Sequence, residues 1–163
     1  PAKHRRETFQ CESVELTEFI QKRARREMDA RASACFVLVH ENDPGPILGY
    51  YTLSQTSISP RGLPQAMASK LPRYPEIGAT LIGRLARAIE CRGKGIGPLL
   101  LIDALRRSVR LSAEAGAAVV VTDPKDTPAR AFYETFGFRA LDERRLFIPM
   151  SDLAAREASG WTL

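Results

Sequence analysis

The stretch that decides the fold runs from Ile77 to Gly97: IGATLIGRLARAI over 77–89, then Arg92-Gly93-Lys94-Gly95-Ile96-Gly97. The first part is apolar and predicts a strand. The second part has three glycines at alternate positions, and a helix is predicted from Pro98 to about Glu114. Glycines let a backbone approach an anion, and a helix N-terminus offers free N–H groups and a positive dipole end. The order strand, loop, helix therefore indicates an anion-binding turn.

Taken alone, the 92–97 loop is a weak signal. It is not a P-loop, because no Gly-Lys-Ser/Thr follows at the right spacing. It is not a dinucleotide fingerprint, because the chain is too short for that fold and shows no ribose-binding acid. A plain glycine-rich turn stays an alternative interpretation.

Upstream, the sequence predicts a helix and a hairpin. Glu12 to about Asp29 has apolar residues at helical spacing. Ala34–His40 and Ile47–Ser54 are apolar runs on either side of a turn at Asn42–Pro46, so they predict two paired strands. Gln55–Pro75 is rich in proline and is expected to be irregular, with a short helix around 65–70.

Downstream of the loop, further elements alternate. They are a buried strand at Ala117–Thr122, a helix at Thr127–Phe136, a last hairpin from Phe138–Ala140 and Arg144–Met150, and a weakly patterned tail at 151–163. This order predicts an α/β fold around one sheet, with 1–163 as a single domain.

Composition excludes several classes of protein. The 163 residues are 44% hydrophobic and 26% charged, as in an ordinary globular domain. No apolar run is long enough to span a bilayer, and the basic N-terminus has no apolar core behind it, so a reduced, cytoplasmic protein is expected. Three scattered cysteines and two histidines argue against a disulfide framework and a metal site.

The charge suggests a polyanionic partner. Lys and Arg number 24 against 19 acids, a net charge of +5, and all but five of the 24 are arginine. Arginine suits bidentate phosphate contacts, as in RNA or a nucleotide cofactor. Solvated surface charge, set by genome composition, is the equally weighted alternative.

A second motif follows one strand and one helix later, Ala129-x-x-Phe132-Tyr133-Glu134-x-Phe136-Gly137-Phe138. With Arg92-x-x-Gly95-x-Gly97, it resembles the GNAT superfamily of acetyl-CoA-dependent N-acetyltransferases. The resemblance implies the GNAT fold, a mixed and mostly antiparallel central sheet flanked by helices on both faces.

Four segments between Phe9 and Leu153 resemble the TacT/AtaT branch, which consists of toxins of toxin–antitoxin pairs. These segments are Phe9–Glu12, Leu48–Ser54, Leu71–Pro75 and Gly83–Ala86. The branch resemblance implies acetylation of the free α-amine of aminoacyl-tRNA, a block in translation, a ribbon-helix-helix antitoxin and a homodimer. The family usually has a strand before the first helix. Only eight residues precede Phe9, so that strand is expected to be missing or trimmed.

The family resemblance also places acetyl-CoA. Its pyrophosphate would lie on the N–H groups of 92–97, with charge from Arg92 and Lys94, and its pantetheine arm would pair with the backbone of Leu85, Ala86 and Arg87. Arg87 departs from the apolar residue common there, so its side chain is expected to face solvent or nucleic acid. Asp126 stands where many relatives have asparagine and is a weaker cofactor candidate. The residues of this cofactor set in the loop are Arg92, Gly93, Lys94, Gly95, Ile96 and Gly97.

Tyr133 is the candidate general acid, because the tyrosine at this place in the family protonates the departing thiolate. The alternative is that it only packs beside Phe132 with its hydroxyl satisfied locally.

The acceptor is inferred from what the 77–88 strand lacks. It contains no Asp or Glu to act as a base. Deprotonating a lysine amine at pH 7 costs about 4–5 kcal/mol, whereas an α-amine titrates near 7.7–8.0. The missing base agrees with aminoacyl-tRNA and leaves open a small-molecule amine or a protein amine. A non-catalytic binding module would need a broken cofactor loop or a lost tyrosine, and both are intact. Candidate tRNA phosphate contacts are Arg61, Arg73, Arg84, Lys22, Arg23 and Arg26.

Overall fold

A six-stranded mixed sheet is the centre of the computed structural model, which describes residues 4–161. The strand order is β1-β2-β3-β4-β6-β5. The strands are β1 Ala34–His40, β2 Asp43–Ile58, β3 Ile77–Arg87, β4 Val119–Thr122, β5 Arg139–Ala140 and β6 Leu146–Pro149.

Helices flank the sheet. They are α1 Val14–Glu18, α2 Ala24–Asp29, α3 Gln65–Ala68, α4 Ile96–Ala115, α5 Thr127–Thr135 and α6 Met150–Ala158. A π-helical turn, Phe19–Arg23, joins α1 to α2, and 3-10 turns occupy Arg6–Thr8, Pro60–Gly62 and Ile89–Cys91. No helix in residues 4–161 is long and apolar enough to cross a membrane.

The internal contacts divide the chain into two units. Unit 1 comprises Pro1–Ser54 and Ile82–Ala104, and unit 2 comprises Gln55–Leu81 and Leu105–Leu163. The expectation that 1–163 is one N-acetyltransferase domain stays a prediction.

Unit 1 is built on the hairpin of β1 and β2. These strands are antiparallel, with Phe36 opposite Tyr51, and the two rings stack at 5.1 Å. Tyr50, on the same strand as Tyr51, packs against Phe9 and Phe19 and donates its hydroxyl to the carbonyl of Leu16 at 2.6 Å. Because these rings are almost fully buried, they fix the first helical segment on the hairpin.

Unit 2 has its own apolar core. Strands β4 and β6 pair antiparallel, with Val121 opposite Phe147, and β5 pairs with β6. The buried cluster is Ile58, Leu63, Ile77, Ala79, Val119, Val121 and Phe147.

Several sequence expectations need correction. Strand β2 absorbs most of the predicted turn at Asn42–Pro46 and runs on to Ile58. Helix α4 begins at Ile96 rather than Pro98, and the tail expected to be weakly patterned forms α6. α6 buries Met150 and Leu153, so packing stabilises a helix whose sequence signal is faint.

The strand before the first helix is not formed among residues 4–13. Arg5 makes an isolated parallel bridge with Pro46, and its N–H donates to the Gly45 carbonyl at 2.8 Å.

Candidate active site

The 92–97 loop has the backbone shape that its glycines predict. Gly93 and Gly95 have φ angles of +75° and +74°, in the left-handed region that favours glycine. A Cβ added at either position would find no atom within 4 Å, so the space beside the loop is open. The N–H groups of Arg92 and Lys94 donate back to Ile89 and Cys91, which tightens the loop.

The remaining N–H groups of this loop are available to an anion. In the described chain, the N–H groups of Gly93, Gly95 and Gly97 make no well-formed hydrogen bond. Behind them α4 runs for 20 residues, so its positive dipole end adds to the attraction for an anion. The exposed side chains of Arg92 and Lys94 have no ion-pair partner among residues 4–161. The loop therefore fits a diphosphate.

Gly49 brings β2 close to the start of α4. A Cβ there would lie 2.7 Å from Leu100 Cδ1, 3.0 Å from the Ala86 carbonyl oxygen and 3.1 Å from Ile96 Cγ2. A methyl group at this position would force the ends of the Leu100 and Ile96 side chains, and the Ala86 carbonyl, to shift. Gly49 thus allows β2 to lie close to the first turn of α4 and to the end of β3.

The 85–87 segment, the predicted pantetheine strand, lies at the end of β3. Arg87 does not simply face solvent, because its Nη2 lies 3.1 Å from Glu12 Oε1 and its buried Nη1 has no protein partner. A hydrogen bond to the backbone of Glu12 lowers the pKa of this carboxyl, and the positive charge of Arg87 lowers it further against the effect of burial. The Arg87 side chain ties the segment before α1 to β3, and its backbone contact with the cofactor stays a prediction.

Tyr133 lies on α5 and is buried, with 6% of its surface exposed. Its ring has edge contacts with Phe132 and Phe138, at 5.3 and 5.4 Å. Burial raises the pKa of the hydroxyl, and a hydrogen bond with Thr122 lowers it in part. Because its pKa is raised, Tyr133 is a neutral phenol near pH 7, and its catalytic role stays a prediction.

Asp126 has a structural role that needs no cofactor. Its Oδ1 accepts a hydrogen bond from the Ala129 N–H at 2.8 Å and so caps α5. Such a cap is worth about 1 kcal/mol. Its weaker assignment to the cofactor stays a prediction.

The candidate RNA contacts fall into two groups. In unit 1, Arg84 pairs with Glu27 at 3.4 Å and lies 3.7 Å above the Phe19 ring, and Lys22 pairs with Glu18 at 3.1 Å. Arg23 also lies over Phe19, at 5.6 Å. Arg84, Lys22 and Arg23 thus have intramolecular partners.

The remaining candidates are not paired in this way. Arg61 and Arg73 in unit 2 and Arg26 in unit 1 are exposed, and no ion pair to their side chains is found within residues 4–161. All six RNA assignments stay predictions.

Sequence reasoning missed three residues that shape the site. Gly49 gave a usable signal, since a glycine inside a strand often marks a close approach. Thr122 and Glu12 gave none, because their contacts with Tyr133 and Arg87 join positions far apart in the sequence.

The comparisons with known proteins define the class first. The Acetyltransferase (GNAT) family matches residues 3–138, so the chain belongs to this family and is an acetyltransferase. The chain is similar to a probable toxin TacT of Sinorhizobium fredii, with 29% identity over 94% of this chain and 89% of the relative. It is also similar to a tRNA-acetylating toxin of Mycobacterium tuberculosis, with 28% identity over 91% of this chain and 87% of the relative.

Solved structures agree on the fold. AtaT complexed with acetyl-methionyl-tRNAfMet superposes with a TM-score of 0.87 and 24% identity, over 95% of this chain and 93% of that one. A tyrosine-to-phenylalanine mutant of KacT superposes with a TM-score of 0.86 and 26% identity, over 93% of this chain and 91% of that one. The GNAT fold expected from the sequence is confirmed.

Acetyl-CoA, the acetyl donor of this family, is the cofactor. It supplies an acetyl group activated as a thioester. The residues present fit it, because the open glycine loop and its free N–H groups suit the pyrophosphate. Arg92 and Lys94 add positive charge, and neither forms an ion pair among residues 4–161.

Proposed function

We propose that this chain is a toxin that acetylates the free α-amine of aminoacyl-tRNA and thereby blocks translation. The observation that carries the proposal is its similarity, along 91% of its length, to a protein named tRNA-acetylating toxin. The similarity to a probable toxin TacT, over 94%, points the same way. This substrate also implies a cytoplasmic site of action.

The chemistry of β3 supports an acceptor with a low pKa. Ile77–Arg87 contains no carboxylate, and the nearest acids along the chain are Glu76 and Glu90. An α-amine needs little help to become neutral near pH 7, and the ester beside it in aminoacyl-tRNA lowers its pKa further. A lysine amine would need a base that this strand does not carry.

Tyr133 would supply the proton that the reaction consumes at sulfur. When the amine attacks, the C–S bond breaks and the thiolate must be protonated, while the amine loses a proton to solvent. A thiol has a pKa near 8.5, so protonation by solvent near neutral pH is slower than transfer from a positioned hydroxyl. The buried neutral phenol of Tyr133 suits this task.

The toxin would act within a pair. We propose a ribbon-helix-helix antitoxin and a homodimer of this chain, both implied by the branch of the family that it resembles. A two-fold dimer is the commonest oligomer, and a surface of net charge +5 would attract an acidic antitoxin tail. Light scattering at micromolar concentration should give twice the monomer mass, and the monomer mass would contradict the dimer.

The direct test is acetyl transfer in vitro. The purified chain is incubated with radiolabelled acetyl-CoA and a pool of charged bacterial tRNA, and acetylated species are resolved on acid urea gels. Nuclease digestion then identifies the N-acetylaminoacyl-adenosine by mass. Label on charged tRNA, and none on deacylated tRNA or a lysine peptide, supports the proposal. Unmodified charged tRNA at high enzyme concentration removes it.

A further inference from the structure

The segment between β2 and β3, Pro60–Pro75, is anchored from inside. Leu63 is buried in the unit 2 core beside Ile58 and Ile77, and Met67 and Leu71 pack against the same cluster. This segment, called the proline segment below, is therefore held to the core of unit 2.

The backbone of the proline segment is also braced. Prolines at 60, 64, 72 and 75 fix four φ angles. The N–H groups of Met67 and Ala68 donate to the Pro64 carbonyl, and the Tyr74 N–H donates to the Pro72 carbonyl at 2.8 Å. A braced segment loses little conformational entropy when it binds a partner.

The outer side of the proline segment is aromatic and basic. Tyr74 is 65% exposed, and neither its ring nor its hydroxyl has a partner among the described residues. Three exposed cations have no ion-pair partner among residues 4–161: Arg61, Lys70 and Arg73. Pro60–Pro75 contains no acid, and the first one after it is Glu76.

We propose that Tyr74 stacks on an unpaired base of the tRNA substrate while Arg61, Lys70 and Arg73 contact its phosphates. This inference rests on the proposed function. An exposed aromatic ring on a segment that also carries exposed, unpaired cations suits single-stranded nucleic acid, because every base offers a π-face and every linkage a negative charge. The 3′ end of a tRNA, which carries the aminoacyl group, is such an unpaired strand.

The test measures substrate affinity in Tyr74 variants of the full chain. The probe is the tRNA that the wild type acetylates best from a charged pool. Tyr74→Ala should raise the KM for this tRNA about 5- to 100-fold, the usual effect of losing one base–aromatic stack. The KM for acetyl-CoA and the melting temperature should stay as in the wild type. Tyr74→Phe keeps the ring and should recover most of the affinity.

A matched control separates stacking from general loss of an exposed apolar side chain. Val14 is 75% exposed on α1, so Val14→Ala removes exposed apolar surface without removing a ring. Filter binding of the charged tRNA without acetyl-CoA should show the same order of affinities as the KM values.

Three outcomes would overturn the inference. In one, Tyr74→Ala binds charged tRNA within twofold of the wild type. In another, Tyr74→Phe is as weak as Tyr74→Ala, which would assign the effect to the hydroxyl. In the third, tRNA affinity is unchanged while antitoxin affinity falls, which would make Tyr74 a protein contact. If the wild type acetylates no charged tRNA, the proposed function fails and this inference fails with it. If the wild type acetylates charged tRNA and the Tyr74 variants bind it equally well, only this inference fails and the proposed function stands.

Discussion

The 92–97 loop and Tyr133, the candidate elements for cofactor binding and for catalysis, have opposite construction. The 92–97 loop is exposed backbone, with free N–H groups and open space beside its glycines. Tyr133 is a buried side chain, with aromatic neighbours and a hydroxyl already bonded to Thr122. The first is suited to hold a charged ligand, and the second is suited to keep one proton in place.

This difference separates affinity from rate. Changes in the loop should act on cofactor binding, because the loop meets the ligand with dipoles and charge. Changes at Tyr133 should act on turnover, because a phenol buried among aromatic rings contributes its proton only when the leaving group forms. A loop variant that lowers only turnover, or a Tyr133 variant that lowers only cofactor affinity, would contradict this assignment.

The largest effect is expected from Tyr133→Phe. The ring keeps its contacts with Phe132 and Phe138, while the proton donor is lost. Turnover should fall by about 10²–10⁴-fold, the usual contribution of a positioned acid, with acetyl-CoA affinity nearly unchanged. Rapid-quench kinetics and calorimetry measure the two quantities, and expression of the variant should be tolerated where the wild type arrests growth.

Thr122→Val is the matched control for Tyr133→Phe. It removes the same hydrogen bond at similar volume, and so a similar part of stability, about 1 kcal/mol, while it leaves the phenol in place. Its turnover should stay well above that of Tyr133→Phe. If the two variants are equally slow, the hydroxyl acts through structure, and if Tyr133→Phe stays within about threefold of the wild type, Tyr133 is not the acid.

The next effect concerns charge in the loop. Gly95→Asp places a carboxylate where backbone N–H groups face the pyrophosphate, so acetyl-CoA should bind at least about tenfold more weakly, or 1.4 kcal/mol. Gly95→Asn has the same shape and the same tolerance of a positive φ, and should lose less. Calorimetry on both folded variants measures the difference, and equal affinities would remove the pyrophosphate from this loop.

A smaller effect is expected from Gly49→Ala. Its methyl group would press on the Leu100 and Ile96 side chains and on the Ala86 carbonyl. We expect the first turn of α4 to shift, the KM for acetyl-CoA to rise several-fold and the protein to lose about 1–3 kcal/mol of stability. Gly78→Ala is the control, because its Cβ would meet the Gly116 carbonyl oxygen at the same 2.7 Å within unit 2. If both variants lose stability and only Gly49→Ala raises the KM, then Gly49 positions the loop. Equal KM values would leave Gly49 a purely structural residue.

The loop and the strand before it could be predicted from the sequence because their signals are local. Three glycines, Pro98 and the apolar run of β3 lie within about twenty residues. The start of α4 was placed two residues late, since Pro98 is favoured at a first turn while the backbone becomes helical at Ile96.

The rest could not be predicted because it depends on contacts between distant positions. The side-chain pattern of Phe19–Arg23 does not distinguish a π-helical turn from an α-helical one. The pairing of Arg84, a predicted phosphate contact, with Glu27 joins positions 57 residues apart and leaves no local signal in the sequence. Helix α6 has only two large apolar residues, Met150 and Leu153, and the sequence does not show that both are buried.

The smallest expected effect is the absence of an alkaline fall in rate. The rate should rise with pH, by up to about tenfold per unit, until the α-amine has lost its proton, and the ester sets that point below the usual 7.7–8.0 of an α-amine. Burial raises the pKa of Tyr133 above its usual value near 10, so the proton is still held at pH 9 and the rate should stay level up to there. Single-turnover measurements are short enough to avoid alkaline hydrolysis of the aminoacyl ester. A fall in rate between about pH 8 and 9 would indicate a different acid.

The central claim, that the acceptor is the α-amine of a charged tRNA, is tested most directly by changing one atom of the substrate. The same tRNA is charged either with an amino acid or with the matching α-hydroxy acid, and each is incubated with the enzyme and labelled acetyl-CoA. The account predicts label on the aminoacyl form and none on the hydroxyacyl or deacylated form. Equal labelling of the aminoacyl and hydroxyacyl forms, or labelling of neither, would contradict it.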